Sequence, residues 1–206
     1  MSIYDKYVLP HLLDLACNTK PMRYQRKKVV PQAYGKVLEI GMGSGLNLPF
    51  YEQDKVDMVW GLEPSEGMRR KAQKNLAKSP INVEWLGLPG EEIPLEDDSA
   101  DSIVLTFTLC TIPGWQQALE QMRRVLKPGG DLLFAEHGRA PDHHVRSKQD
   151  KYNPTWCKFA GGCNMNRPIV EMLRDSGFEI KQLDSAYLPS TPKVLGFNVW
   201  GRAQIR

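Results

Sequence analysis

Hydrophobic positions change their period several times along the chain, and each change predicts a change of element. Val37, Leu38 and Ile40 form a short apolar run that breaks into Gly41-Met42-Gly43-Ser44-Gly45 and then Leu46-Asn47-Leu48. That order predicts a buried strand, a glycine turn and a helix start. Val56 to Leu62 is a second apolar run and ends in Glu63-Pro64-Ser65. From Ser65 to Ala77 the spacing is helical, with Ser65 as cap and Met68, Ala72 and Leu76 as the apolar stripe. Asn82 to Leu86 predicts a third strand, and the unbroken apolar run from Ile103 a fourth, covered on both faces. Trp115 to Val125 reads as a helix and Asp131 to His137 as a fifth strand. Gly138 to Arg167 is irregular and rich in His, Trp, Gly and Asn, which predicts a long loop of the kind that carries function. Arg167 to Ser176 is helical with Gly177 as its stop, Phe178 to Leu183 is a strand, and Val194 to Ala203 closes the chain. Ahead of all this, residues 3 to 16 are amphipathic and are divided or restarted by Pro10. The basic cluster Arg23, Arg26, Lys27 and Lys28 follows, as a solvated helix face or a contact for an anionic lipid or substrate.

The chemistry concentrates where strands end. Gly41, Gly43 and Gly45 can take backbone angles closed to other residues and leave room for a ligand against the main chain. Their spacing is G-x-G-x-G, so Leu46 stands where the dinucleotide fingerprint has its third glycine, and no Lys-Ser/Thr pair follows. Pyrophosphate readings are therefore weakened. Glu63 falls at the carboxyl end of the second strand, where ribose hydroxyls are held. With Glu39 just before the first glycine, two carboxylates face the ligand. They suit a cationic cofactor without a pyrophosphate, and S-adenosylmethionine (SAM) meets both conditions. Thr106 to Cys110 end the fourth strand at the same edge, with Thr106 as a cofactor contact, and Glu136 and His137 end the fifth beside it.

Composition narrows the partners. A length of 206 residues with 41% hydrophobic residues fits one α/β domain. A balance of 27 basic against 24 acidic residues, net +3, does not announce a nucleic-acid binder and favours small-molecule chemistry. The four cysteines follow no paired framework and no signal-peptide core is seen, so a cytoplasmic protein is expected. No apolar run reaches the roughly 18 residues that span a bilayer. His137, His143, His144, Cys157 and Cys163 are the imaginable metal ligands, but no C-x-x-C or H-x-x-x-H unit occurs, so no metal site is expected.

Three motifs in order carry a resemblance. VLEIGMGSG, GLEPS and Arg124-Val125-Leu126-Lys127-Pro128-Gly129-Gly130 resemble the first motif, the second motif and the turn before the fifth strand of the class I SAM-dependent methyltransferases. The resemblance covers about residues 35 to 204. It implies a Rossmann-like, doubly wound, seven-stranded and mostly parallel sheet with an antiparallel last strand. Residues 1–34 would form a helical lid on a 35–206 catalytic domain. It further implies cofactor contacts at Glu39, Gly41, Gly43, Gly45, Asn47, Glu63, Pro64, Gly90, Glu91, Thr106 and Leu109, with Gly90 and Glu91 near adenine. Pro89 departs from the polar residue many relatives carry there, and Glu91 is alternatively a solvated side chain. Thr108-Leu109-Cys110, Phe134-Ala135-Glu136-His137 and Gly162-Cys163-Asn164 look like the methyltransferase-like 7 group of alkyl thiol S-methyltransferases and their bacterial relatives. That likeness implies a thiol or hydrogen sulfide as acceptor. Tyr7, Cys110, Trp156, Phe159 and Asn164 are the candidates to line its pocket, with core packing as the alternative for the two aromatics. His137 would accept a thiol proton or is held structurally. Quinone, sterol or phospholipid head-group methylation is the other enzymatic expectation, with peripheral membrane contact through the amino terminus. A non-catalytic SAM-binding protein is the third.

Overall fold

The computed structural model describes residues 9–206. Tyr7 and the start of the amphipathic stretch lie outside the described residues. Helices α1 (Leu9–Cys17) and α2 (Lys20–Val29) lead into β1 (Gly35–Ile40), β2 (Val56–Leu62), α3 (Glu66–Leu76) and β3 (Val83–Leu86). After them come β4 (Ala100–Thr106), α4 (Trp115–Val125), β5 (Leu126–His137), α5 (His143–Phe159), α6 (Ile169–Asp175), β6 (Phe178–Tyr187), α7 (Lys193–Gly196) and β7 (Phe197–Ile205). The strands form one seven-stranded sheet in the order β3-β2-β1-β4-β5-β7-β6. β1 to β5 pair in parallel, and β7 runs antiparallel between β5 and β6. This is the α/β architecture expected.

Period-two alternation explains why both faces of the sheet are covered. Leu38, Ile40, Ile103, Leu105, Leu132 and Phe134 enter one core with Leu119 and Met122 of α4 and Met172 and Leu173 of α6. Their strand neighbours Val37, Val104, Leu133 and Ala135 enter the other, with Val29 of α2 and Val30 and Ala33 just beyond it. Successive strand side chains point to opposite faces, so strands hydrophobic at every position need helices on both sides. Ser65 caps α3 as expected, its hydroxyl accepting from the Met68 N–H.

Four expectations change. The stretch read as a long loop contains α5, seventeen residues long. Pro154 within the helix and its polar composition obscured it. The glycine turn leads into a short 3₁₀ turn, Leu48–Phe50, instead of a helix. The closing strand begins at Phe197, because Val194 to Gly196 belong to α7. In the basic cluster Arg23 and Lys27 are exposed, but Arg26 is buried.

One buried side chain ties α5 to the sheet. The Gln149 Oε1 accepts from the Ala140 N–H at 2.9 Å, and its Nε2 donates to the carbonyls of Gly138, Met165 and Val194 at 3.0, 2.8 and 3.0 Å. Gln149→Leu strands those main-chain groups without partners and should destabilise the fold by roughly 3 kcal/mol. Urea denaturation measures this, and a loss under about 0.5 kcal/mol would show that water takes over the bonds.

Candidate functional site

Parallel strands bring their carboxyl ends to one edge, and there the ends of β1, β2 and β4 surround a cavity of about 540 Å³. That volume suits a small molecule. The turn after β1 supplies its floor. Gly41 and Gly43 have φ of 65° and 59°, in the left-handed region that favours glycine. A Cβ on Gly41 would stand 2.4 Å from the Thr108 Cγ2, whereas one on Gly43 would meet only the Met68 Cε at 3.3 Å before the distant Gly41 carbonyl. Gly41 is therefore glycine for packing, and Gly43 leaves its approach open.

Two carboxylates hold this floor. The Glu63 Oε2 accepts from the Gly43 N–H at 2.9 Å and its Oε1 from the Ser65 N–H at 2.8 Å. Burial raises the pKa of Glu63 while those two N–H groups oppose the rise. Each oxygen keeps a lone pair for a further donor, as a ribose hydroxyl would offer. Glu39 is fully buried: its Oε1 accepts from the Asn47 Nδ2 at 2.9 Å and its Oε2 from the Tyr51 hydroxyl at 2.7 Å. Burial pushes its carboxyl up to about 7, with the bonds from Tyr51 and Asn47 opposing. Asn47 also donates to the Thr106 Oγ1 at 2.9 Å, and its own Oδ1 is buried without a partner. Asn47 lines the cavity, so the donor set fits a ligand that brings cationic or hydroxyl donors.

The expected cofactor residues divide. Glu39, Gly41, Gly43, Asn47, Glu63, Pro64, Gly90, Glu91 and Thr106 line the cavity; Gly45 and Leu109 do not. A Cβ on Gly45 would meet Leu48, and Leu109 is fully buried in the core. Glu91 is tied down rather than solvated, its Oε1 accepting from the Gly114 N–H at 2.9 Å. Of the expected acceptor residues, Cys110, Trp156, Phe159 and Asn164 are also absent from the lining. Phe159 is 67% exposed. Asn164 braces a loop, its main-chain N–H and its Nδ2 donating to the Cys110 carbonyl at 2.9 and 3.2 Å. His137 does not border the cavity either; its Nε2 lies 3.1 Å from the Cys163 Sγ. Neighbouring Glu136 accepts from the Thr108 and Leu109 N–H groups at 2.7 and 3.0 Å, and burial pushes its carboxyl up to about 7.

The opposite wall was not foreseen in detail. Leu9, Pro10, Leu13, Asp14 and Cys17 of α1 line it, and the Ser44 hydroxyl donates to the Asp14 Oδ1 at 2.5 Å, joining the helix to the glycine turn. Arg26 completes the wall, its Nη1 donating to the Cys17 carbonyl at 2.8 Å and its guanidinium lying 5.0 Å from the Phe107 ring centre. Phe107 holds a φ of 54°, a left-handed conformation unusual for an aromatic residue and typical of functional turns. Arg26 stands three, four and seven residues before the buried Val29, Val30 and Ala33, a spacing that sets it apart from Lys27 but that Arg23, which is exposed, largely shares.

Comparison with known proteins agrees with this geometry. Residues 38–134 match the methyltransferase domain family. The chain is similar to the thiol S-methyltransferase TMT1B of Homo sapiens, 31% identical over 84% of this chain and 75% of that protein. It is also similar to the demethylmenaquinone methyltransferase of Clavibacter sepedonicus, 29% identical over 61% of this chain and 51% of that one. Among solved structures, a SAM-dependent methyltransferase from Methanosarcina mazei superposes with a TM-score of 0.64 at 21% identity, covering 84% of this chain and 93% of that one. Glu63→Ala should weaken SAM binding by roughly 1–3 kcal/mol, because buried hydroxyls lose a charged acceptor. Calorimetry decides it, and unchanged affinity would take Glu63 out of the site.

Proposed function

The chain belongs to the SAM-dependent methyltransferases, and from that premise we propose that its acceptor is a small thiol or hydrogen sulfide. Bound in the cavity, SAM supplies a methyl group made electrophilic by its sulfonium. Glu63 and Asn47 would hold it, with the main chain at Gly43 giving close approach. Leu9, Pro10 and Leu13 keep the acceptor end apolar and exclude water. A thiolate that meets a sulfonium loses its charge in the transition state, so poor solvation of both ions favours reaction. Arg26 is the observation that carries the reading. It is a buried cation on the cavity wall, with no carboxylate within ion-pair distance among the described residues. A cation so placed stabilises an anionic nucleophile as a thiolate and repels a neutral amine once protonated. The 31% identity to a thiol S-methyltransferase supports the same acceptor. In this reading α1 serves as the lid expected of residues 1–34, and the four free cysteines suit a cytoplasmic setting.

A second reading, methylation of a quinone or lipid head group, is favoured by similarity to the demethylmenaquinone methyltransferase and by Leu12 and Leu15, exposed on α1. Membrane contact through that helix belongs to this reading. No helix among the described residues is long and apolar enough to cross a membrane.

A free thiol ionises near pH 8.5, so a rate limited by thiolate rises through that value without help. The limb of kcat/KM for an alkyl thiol should lie toward neutrality in the wild type. In Arg26→Met it should return upward, with kcat/KM near neutral pH lower by about tenfold, the equivalent of one pKa unit. The SAM dissociation constant of the same variant separates an acceptor effect from a cofactor effect. Identical profiles would remove Arg26 from the mechanism. Turnover of a quinone but of no thiol would favour the second reading, and no S-adenosylhomocysteine from any acceptor would indicate SAM binding without catalysis.

A further inference from the structure

We propose that Cys110, His137 and Cys163 form a binding site for one soft divalent cation, zinc in the first instance. Cys110 lies in the turn after β4, His137 is the last residue of β5, and Cys163 lies in the loop after α5. The fold brings their donor atoms within 4.8 Å of one another. The separations in sequence, 26 residues from His137 to Cys163 and 53 from Cys110 to Cys163, give no local motif. Neither exposed histidine of α5, His143 or His144, takes part.

The distances, which also suit thiol hydrogen bonds in the metal-free protein, are compatible with a shared ion. The two sulfurs are 3.7 Å apart. A covalent disulfide requires about 2.05 Å. Two thiolates on a tetrahedral zinc, each with a bond of about 2.3 Å, stand roughly 3.8 Å apart. The His137 Nε2 lies 3.1 Å from the Cys163 Sγ, slightly inside the roughly 3.5 Å edge of a zinc-bound imidazole and thiolate, and the remaining edge, from His137 to Cys110, is within 4.8 Å, so the side chains adjust on binding an ion. Two sulfurs and an imidazole are the donor set that selects zinc over magnesium or calcium.

The surroundings fix the donors. Asn164, next to Cys163, bonds the Cys110 carbonyl through both its main-chain and its side-chain nitrogen, locking the two cysteine segments together. The Cys163 N–H donates to the Ala160 carbonyl at 3.1 Å, and Arg167 holds the carbonyls of Leu109 and Ile112 on either side of Cys110. His137 is pinned by its pairing in β5 opposite Asn198 of β7. Such bracing is what a ligand set needs to hold one geometry. Three protein donors leave the fourth position of a tetrahedral ion to an exchangeable ligand. Thr111, whose hydroxyl lies 3.4 Å from the Cys110 Sγ, borders the cavity, so the site stands one side chain away from it. The assignment does not depend on the acceptor proposed above.

The test strips the full chain of metal under reducing conditions and titrates it with cobalt(II), followed by back-titration with zinc. The wild type should take up about one ion per chain, with the intense visible bands of a tetrahedral thiolate site, and zinc should abolish them. Cys110→Ser, Cys163→Ser and His137→Ala should each weaken uptake by at least about tenfold, the scale on which even supporting residues act, and Cys157→Ser should leave it intact. SAM affinity of each variant, measured by calorimetry, establishes that it is folded. No tetrahedral cobalt spectrum in the wild type would overturn the site, as would equal uptake by a Cys110→Ser/Cys163→Ser double variant that still binds SAM. A wild type that takes no cobalt but joins Cys110 to Cys163 under mild oxidation would overturn it in favour of a redox pair.

Discussion

A carboxylate buried at the end of a parallel strand, hydrogen-bonded only to neutral groups, sets the terms for the rest of the site. Glu39 bonds Asn47 and Tyr51 and has no cation within ion-pair distance among the described residues; burial lifts its pKa to about 7, with those bonds and the more distant charge of Arg26 opposing the rise. Taking a negative charge out of water is costly unless it is paired. In the reading proposed here a cation brought by the ligand would supply that partner, and a buried carboxylate on the cavity lining disfavours an anionic nucleotide diphosphate. Glu63 works from the adjacent strand, fixing the glycine turn through the Gly43 N–H and keeping capacity for hydroxyls. The fold thus places a carboxylate at each of two neighbouring strand ends.

The amino-terminal helices give the site its opposite character. Asp14 anchors α1 to Ser44, so the helix lies over the glycine turn and contributes apolar side chains to the cavity wall. Arg26 adds a buried positive charge to that wall, and Phe107 is held in a left-handed turn beside it. Carboxylates beneath and a guanidinium opposite create a field across the cavity, the field that a cationic methyl donor and the proposed anionic acceptor would meet. Local strain at Phe107 is the kind that surrounding structure must enforce, here through the Phe107 N–H bond to the Ala135 carbonyl.

The strands, the glycine turn, Glu39 and Glu63 were legible because short-range pattern determines them: apolar runs, glycines at fixed steps and an acid at a strand end. The cap of α3 was legible for the same reason. α5 was not, since Pro154 and its polar residues hide the helical period and its anchor, Gln149, acts through carbonyls brought close only by folding. Arg26 is hidden among solvated basic neighbours because Arg23, at nearly the same helical phase, is exposed, and only folding separates the two. Pattern points His137 and Cys110 at the acceptor because both follow strands that end at the cavity's edge, and Asn164 only through the family likeness. The side chains of His137 and Cys110 turn instead toward Cys163, and that of Asn164 toward the Cys110 carbonyl, a choice made by loop packing that no spacing records.

The central claim is that a buried carboxylate with a pKa near neutrality meets a cation when SAM binds. A cation beside Glu39 must lower its pKa, so the bound state holds fewer protons than the free state at pH values near 7. Calorimetry of SAM binding in buffers of different ionisation enthalpy counts those protons directly. The account predicts proton release at about pH 7, fading at higher pH where Glu39 is already ionised. Affinity should rise as pH increases through that range, and both effects should be lost in Glu39→Gln. Binding enthalpy independent of the buffer, or the same proton release in Glu39→Gln, would contradict it.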